Sequence, residues 1–174
     1  MSEARIREEL TGILAYVQKV MKRYFNISVT IGVSGMLNGY ASLVELYKES
    51  ACAVDRKFYY GAGQILFPEH LNADSAVSSA RRKISGIADR WPGLNERERK
   101  ELQAALQTFL ESDKVRDEQE IRKLFVRLLH WPGAASAASA DEAAALAFAY
   151  GEQIRKGETL DDIAAAFMKF LAEI

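Results

Sequence analysis

The sequence predicts an α+β protein in which a helix–strand–helix–strand segment, residues 1–70, precedes an all-helical bundle, residues 71–174. Three observations support this prediction. Over most of the chain, apolar residues recur at steps of three and four, which is typical of amphipathic helices. Strict alternation of apolar and polar residues occurs over Ile27–Val33, which predicts a half-buried strand. After Pro68 the apolar patterns have only the helical period, so the change in character falls between Phe67 and Ala76.

The first helix is predicted from Glu3 to about Tyr24. Its apolar residues, at steps of three and four, are predicted to lie on one helical face: Ile6, Leu10, Ile13, Leu14, Val17, Val20, Met21 and Tyr24. Asn26 interrupts this pattern, and the β-branched residues of Ile27–Val33 then favour a strand. After a turn at residues 34–39 comes a second helix that is expected to end at Gly61 in the left-handed conformation. Its predicted buried face is Tyr40, Leu43, Val44, Tyr47, Ala51, Val54 and Phe58. A short strand, Gln64–Phe67, completes the segment.

The bundle is predicted from helix-start signals and the apolar stripes that follow them. The first stripe is Val77, Ala80, Ile84, Ile87 and Trp91, ended by Pro92 and Gly93. The capping pairs are Asn95 with Glu98, Asp117 with Glu120, and Ser139 with Glu142; Thr159 caps the last helix. The inward residues are Leu102, Leu106, Phe109 and Leu110, then Ile121, Leu124, Phe125, Leu128 and Leu129, then Leu160, Ile163, Phe167, Leu171 and Ile174. An Ala-rich helix ends near Lys156, and Ala134–Ala140 is predicted to be a mobile linker.

Composition argues against nucleic-acid and membrane partners. Lys and Arg number 23 against 24 Asp and Glu, whereas a nucleic-acid binder usually has a basic excess. The densest basic run, Arg81-Arg82-Lys83, is short and is interpreted as a solvated helix face. The apolar runs are too short to span a bilayer, and the N-terminus lacks the apolar core of a signal peptide. The lone Cys52, predicted to be a small buried side chain, favours a reducing compartment, so a cytoplasmic location is expected.

A search for catalytic chemistry gives no candidate catalytic, cofactor-binding or metal-binding residue. The nucleotide-binding loop, the zinc-protease helix, paired cysteines and the nucleophile elbow are all absent from the sequence. His130 is expected at a helix C-terminus, and His70 with Glu69 in an exposed connection. Asp161-Asp162 and Asp141-Glu142 each stand at a predicted helix start, where acidic side chains are favoured by the dipole. The sequence therefore predicts a protein that is not an enzyme.

Residues 3–67 resemble the C-terminal half of a GGDEF (diguanylate cyclase) domain. That family has an A-E-x-[IL]-R helix start, a V-T-[VI]-S-[IV]-G strand, an A-D-x-A-L-Y-x-A-K helix and a G-R-N-x-[VI] entry into its last strand. The corresponding segments here are Glu3–Arg7 (EARIR), Ser28–Ser34 (SVTIGVS), Glu49–Val54 (ESACAV) and Gly61–Ile65 (GAGQI). The resemblance implies a truncated ferredoxin-like half-domain.

The departures from the family pattern imply a degenerate, inactive member. The lysine that helps to hold nucleotide phosphate falls at Phe58, the arginine of G-R-N at Ala62, and the aspartate of A-D-x-A-L at Ala51. The GGDEF loop itself and the metal carboxylates belong to the preceding half of that domain and have no counterpart in these residues. A residual cyclase would require GTP turnover, which this resemblance does not lead us to expect.

A closer resemblance is to the central region of AraC-family response regulators of the YesN type. It rests on Tyr47–Gly61 (YKESACAVDRKFYYG), on the helical stretch Leu102–Leu129 and on Gly157–Ile163 (GETLDDI). In that family the region lies between a phosphorylatable receiver domain and an AraC-type helix-turn-helix domain. The resemblance implies signal relay within a two-component transcriptional regulator, with the DNA contacts made by the helix-turn-helix domain of the full-length protein.

Two functional hypotheses follow. The first is a non-catalytic signal-relay and dimerisation region, in which Ile27–Val33 pairs with a second copy or is covered by downstream helices, because two strands alone leave unpaired edges. The residues expected to matter are structural: Val29, Ile31, Tyr47, Phe58, Phe109 and Phe125. The alternative is a ligand-sensing domain that holds a nucleotide or metabolite in the degenerate pocket or on Tyr59-Tyr60.

Overall fold

The computed structural model describes residues 3–37, 39–71, 73–131 and 140–173. The chain divides into two compact units, Met1–Ala76 (unit 1) and Val77–Ile174 (unit 2). The described residues are mostly helical and contain one two-stranded sheet, in agreement with the α+β class. Most of the predicted linker, residues 134–139, lies outside the described residues, as do the predicted cap Ser139 and the predicted core residue Ile174.

The helices and strands follow one another in the predicted order. Unit 1 contains α1 (Glu3–Phe25), β1 (Ile31–Gly32), α2 (Leu43–Asp55), α3 (Lys57–Tyr60) and β2 (Ile65–Leu66). The chain then forms α4 (Ala73–Ser85), α5 (Ile87–Arg90), α6 (Glu96–Glu111), α7 (Glu118–Leu129), α8 (Ala140–Lys156) and α9 (Leu160–Glu173). Short 3₁₀ turns stand at residues 40–42, 68–71 and 113–116.

The sheet of unit 1 is a parallel pair joined through α2. Ile31 is in register with Ile65, and the N–H of Val33 donates to the carbonyl of Leu66 at 2.7 Å. A Cβ on Gly32 would lie 2.1 Å from the carbonyl oxygen of Ser50 in α2, so the helix backbone packs directly on β1. Glycine is therefore required at this position by close approach of the backbone.

The first strand is shorter than predicted, and its two faces are not divided into buried and exposed. Ile27 is half exposed, and residues 29–33 are all half-buried. The reason is that neither face is open to solvent alone: Gly32 packs on α2, whereas Val33 lines a cavity whose opposite wall includes Ile6 and Leu10 of α1. The predicted alternation of an inside and an outside face is therefore wrong for this strand.

The predicted buried face of the second helix is also wrong in its N-terminal half. Tyr40, Leu43, Val44 and Tyr47 are exposed, with Tyr47 at 74%. The helix instead turns the backbone of Ser50 and the side chain of Val54 towards Gly32, which leaves room for both because it has no Cβ. Cys52 is exposed rather than buried. At the end of this region Gly61 has φ 99° and ψ 166°, which is glycine geometry but outside the predicted left-handed helical region.

Unit 2 has the predicted core. The stripe from Val77 to Trp91 is buried, as are the predicted inward residues of α6, α7 and α9 among those described, except for half-buried Phe109. At its centre Phe167 packs edge-on against Trp91 and Phe125, with ring centroids 5.3 and 5.5 Å apart. Phe170, buried in the same cluster, was not predicted.

The predicted caps of α6 and α9 are formed. Asn95 Oδ1 accepts from the N–H of Glu98 at 2.9 Å, and the Glu98 carboxylate accepts from the N–H of Asn95, as in a capping box. Thr159 and Asp162 make the same reciprocal pair at the start of α9. At α7 the cap is Asp117 bonded to the N–H of Gln119, so the predicted reciprocal pair with Glu120 is not formed there.

Candidate functional site

The polar residues that the sequence suggests for acid–base catalysis or metal binding mainly make contacts that stabilise the fold. His70 is half-buried rather than exposed: its Nδ1 accepts from the N–H of Phe67 at 2.9 Å. Its ring packs edge-on against Tyr60 at 5.1 Å. These contacts fix the turn after β2, so His70 and Glu69 do not form an acid–base pair with each other.

Glu69 is instead paired with Arg7 of α1. The guanidinium of Arg7 also lies over the ring of Phe67, 4.3 Å from its centroid. Desolvation raises the pKa of Glu69, but the hydrogen bond and charge of Arg7 outweigh it, so the pKa falls below its usual value of 4.5. Arg7 therefore joins α1 to the end of β2 within unit 1.

The basic run and the acidic pair at α9 also have structural partners. Arg81 donates to the carbonyl of Leu110 at the end of α6, at 2.9 Å, so the run is not merely a solvated face. Lys83 pairs with Asp161 at 2.6 Å, whereas the neighbouring Asp162 caps its own helix. The two aspartates of α9 thus face different partners and do not converge on one point.

The remaining candidates are dispersed. His130 is exposed at the C-terminus of α7, as predicted, and Asp141-Glu142 lies exposed in the first turn of α8. Within the described ranges no three His, Cys, Asp or Glu side chains are grouped so that they could hold a metal ion. Nor does any helix in those ranges combine the length and apolar character that crossing a bilayer requires.

A cavity of about 280 Å³ lies where the two parallel strands of unit 1 end. It is lined by Glu3, Ile6, Arg7, Leu10, Val33, Ser34, Gly35, Met36, Phe67, Pro68 and Glu69. In open parallel sheets, ligands bind beyond the carboxyl ends of the strands. Its charged groups are two carboxylates and one guanidinium, and Arg7 is already paired with Glu69.

The Tyr59-Tyr60 pair does not form an exposed binding platform. Tyr59 is 4% exposed and packs edge-on against Phe58 at 5.1 Å. The hydroxyl of Tyr60 is buried without a hydrogen-bond partner among the described residues. The two rings therefore contribute to the core of unit 1.

The most unusual feature of the molecule is exposed apolar surface, and sequence reasoning placed most of it in the core. Among the described residues, all the large apolar side chains that are exposed lie in unit 1, except Phe148. Two helices carry most of them. The α1 face is Ile13, Tyr16, Val17 and Tyr24. The α2 face is Leu43, Val44 and Tyr47 together with Tyr40 of the 3₁₀ turn that leads into α2.

The sequence does contain a signal for the α1 face. The apolar residues of α1 cover two adjacent stripes, and a helix resting on one small sheet needs only one of them. In the structure the stripe that includes Leu14 and Met21 is half-buried, and Gln18 beside it donates to the carbonyls of Val29 and Gly63. The other stripe is exposed. A contiguous exposed patch of several large apolar side chains marks a site of interaction with another molecule.

Comparisons with known proteins add no identification: no family model, curated protein sequence or solved structure matches this chain.

Proposed function

We propose that this chain is a non-catalytic signal-relay and dimer-organising region of a cytoplasmic two-component DNA-binding regulator. It would act between a receiver domain and an AraC-type helix-turn-helix domain. The observation that carries the proposal is the exposure of the α1 and α2 faces, because apolar surface of this extent needs a protein partner. Residues with catalytic potential, in contrast, are dispersed or tied into the fold.

The arrangement of unit 1 supports the degenerate GGDEF part of this proposal. A helix, a strand, a helix and a second strand follow one another in the order that the resemblance implies. Phe58, at the position of the family's phosphate-holding lysine, is 2% exposed and packs against Tyr59. A buried phenyl ring cannot neutralise phosphate charge, which is consistent with a scaffold rather than a cyclase.

The proposed mechanism is a change of packing rather than of covalent structure. A receiver that changes state on phosphorylation would favour one arrangement of two apolar faces over another, and so shift the population of dimers. The dimer would set the spacing of two DNA-reading domains. Two linked readers on one DNA molecule gain affinity through effective concentration, without any new contact to the bases.

A fusion experiment tests the dimer-organising role. An AraC-type helix-turn-helix domain is joined after residue 174, and its binding to DNA with two half-sites is compared with binding to one half-site. We expect at least a tenfold preference for two half-sites, because the linked readers bind together. The same reader on a monomeric carrier is the control. Equal preference in the two fusions would contradict the proposal.

The genomic context tests the two-component assignment separately. We expect the coding sequence to lie in one reading frame with a receiver domain upstream and a paired helix-turn-helix domain downstream. Stop codons close to both ends of this segment would contradict that assignment and would favour a free-standing sensor.

A second candidate function, ligand sensing, is favoured by the cavity at the strand ends. A thermal-shift panel of nucleotides and sugars tests it, because a ligand that binds the folded state raises Tm by mass action. A ligand effect that disappears in Arg7→Met would support sensing at this cavity. A panel without any shift would favour the scaffold function.

A further inference from the structure

The exposed surface of α1 contains a regular repeat. Six apolar residues follow one another at steps of four, three, four, three and four, and we call them the α1 seam: Ile6, Leu10, Ile13, Val17, Val20 and Tyr24. Alternating steps of four and three are the spacing of a coiled-coil interface, in which such residues pack between two helices. A helix that covers a sheet can have the same spacing, so the exposure of these residues decides which kind of contact they make.

The structure leaves the α1 seam open to a second helix. Ile13, Val17 and Tyr24 are exposed, whereas Ile6, Leu10 and Val20 are half-buried. The sheet-facing stripe of Leu14, Gln18 and Met21 lies about a quarter turn away around the helix. From Ile13 to Tyr24 the seam therefore lies on the flank of α1, where another helix can approach without displacing the sheet. Its first two residues, Ile6 and Leu10, also line the cavity at the strand ends.

We propose that the α1 seam binds the α1 seam of a second copy of this chain, in an antiparallel pair whose two-fold axis passes midway between Ile13 and Val17, at Ala15 and next to Tyr16. This inference rests on the dimer proposed above and names its interface. With a two-fold axis at this point, Ile13 packs on Val17 of the other copy. Leu10 and Ile6 pack in the same way on Val20 and Tyr24.

Charge complementarity argues for the antiparallel direction. Glu9, which pairs with Arg5 of its own helix at 3.2 Å, and Arg23 immediately precede the seam residues Leu10 and Tyr24, and both lie on the exposed flank that also carries Tyr16. An antiparallel pair places Glu9 of each copy beside Arg23 of the other, so the two ion pairs form by symmetry. A parallel pair would instead place Glu9 beside Leu14, which faces its own sheet.

The available area is sufficient for a two-fold interface. At roughly 200 Å² for each fully exposed large side chain, the exposed fractions of Ile13, Tyr16, Val17 and Tyr24 represent about 500 Å² per copy. Two copies would then bury about 1,000 Å², which is the lower end for a specific protein interface. We therefore expect a dimer that dissociates on dilution.

Light scattering on the complete 174-residue chain tests the interface. We expect twice the monomer mass at high concentration, and the monomer mass for Val17→Glu. The matched control is Val44→Glu, which adds the same charge to the exposed α2 face. Val17 and Val44 are 41% and 65% exposed, so neither change disturbs the core. Circular dichroism verifies that both variants keep the helix content.

The outcomes separate this interface from dimerisation in general. Loss of the dimer in Val17→Glu alone supports the α1 seam. A dimer that survives Val17→Glu, or that is lost only in Val44→Glu, overturns the seam but leaves the dimer-organising function standing. A wild-type chain that is monomeric at every concentration contradicts both.

Disulfide formation tests the direction of the pair. In a Cys52→Ser background, Tyr16→Cys should give a disulfide-linked dimer under mild oxidation, because the antiparallel pair brings the two copies of this position together. Lys19→Cys, on the outer side of α1, is the matched control and should remain monomeric on a non-reducing gel. No cross-link through position 16 in a dimeric protein overturns the antiparallel arrangement.

Discussion

Arg122 provides the sharpest test of the energetics of unit 2. Its side chain is 9% exposed in α7, and Nη1 donates to the carbonyls of Ile154 and Arg155 at 2.9 and 3.1 Å. These carbonyls belong to the last turn of α8, which has no intrahelical donors for them. The guanidinium also pairs with Glu118. Arg122 thus caps one helix from the side of another.

Replacing Arg122 by methionine keeps most of the apolar stem and removes the cap. A hydrogen bond to a charged group contributes about 1.5–3 kcal/mol, and a buried acceptor left without a donor costs about 1–3 kcal/mol. Ile154 is fully buried, so its carbonyl has little access to water after the change. We therefore expect Arg122→Met to lower the free energy of unfolding of unit 2 by about 3 kcal/mol.

Urea unfolding followed by tryptophan fluorescence measures this loss. The two tryptophans of the chain, Trp91 and Trp131, are both in unit 2, so the signal reports on that unit. With a slope of about 2 kcal/mol/M, the midpoint should fall by about 1.5 M. Arg122→Lys should recover part of the loss, because an ammonium group reaches fewer carbonyls. Arg127→Met, at an exposed position on the same helix, should change the stability by less than about 0.5 kcal/mol. Equal midpoints for Arg122→Met and Arg127→Met would refute the capping role.

Three further predictions concern caps, close packing and pH. Thr159→Ala should destabilise unit 2 by about 2 kcal/mol and Asn95→Ala by about 1 kcal/mol, because the cap at Thr159 is buried and the cap at Asn95 is exposed. Equal losses of stability in urea unfolding would contradict this reasoning. Gly32→Ala should destabilise unit 1 by more than about 2 kcal/mol, because the added Cβ clashes with the backbone of α2. Gly12→Ala has open space around it and should stabilise α1 by about 0.5–1 kcal/mol. Circular-dichroism melts measure both changes. Because the pKa of Glu69 is lowered by folding, its contribution is present above about pH 4.5 and is lost as the pH falls through the folded pKa. Acid unfolding should therefore begin at lower pH in the wild type than it would without this group, and Glu69→Gln should remove that part of the pH dependence; identical acid profiles would argue against the pair.

Local signals in the sequence determined the helical unit. Its core could be predicted because its helices carry stripes of long apolar side chains, each about as wide as one helix face. The starts of its helices could be predicted because the capping side chains bond to the backbone of their own helix. Asn95 with Glu98, and Thr159 before α9, act within a few residues of themselves. Such interactions depend little on the rest of the fold, which is why they could be predicted. Phe170 was missed although it lies three residues after Phe167 and so shares its helix face; only its contact with Tyr150 of α8 depends on the folded structure.

Unit 1 was predicted less well because it has more apolar surface than its small sheet can cover. Periodicity identifies the apolar stripes of α1 and α2 but does not say which stripe meets the strands. In α2 the choice is made by Gly32, which admits the backbone of Ser50 and the side chain of Val54 and leaves Tyr47 outside. The ion pairs between distant residues could not be predicted either, because nothing near Arg7 in the sequence indicates that its partner is Glu69.

The sequence by itself determined the order of helices and strands, the core of unit 2 and the capping of α6 and α9, because these depend on contacts between near neighbours. Only the tertiary structure decided which helix faces remain exposed and which charged residues pair across the chain. Those outcomes depend on how closely two backbones can approach, and a single glycine in β1 sets that distance in unit 1. The spacing of the α1 seam can be read from the sequence, but only the packing of unit 1 decides that most of this seam stays exposed.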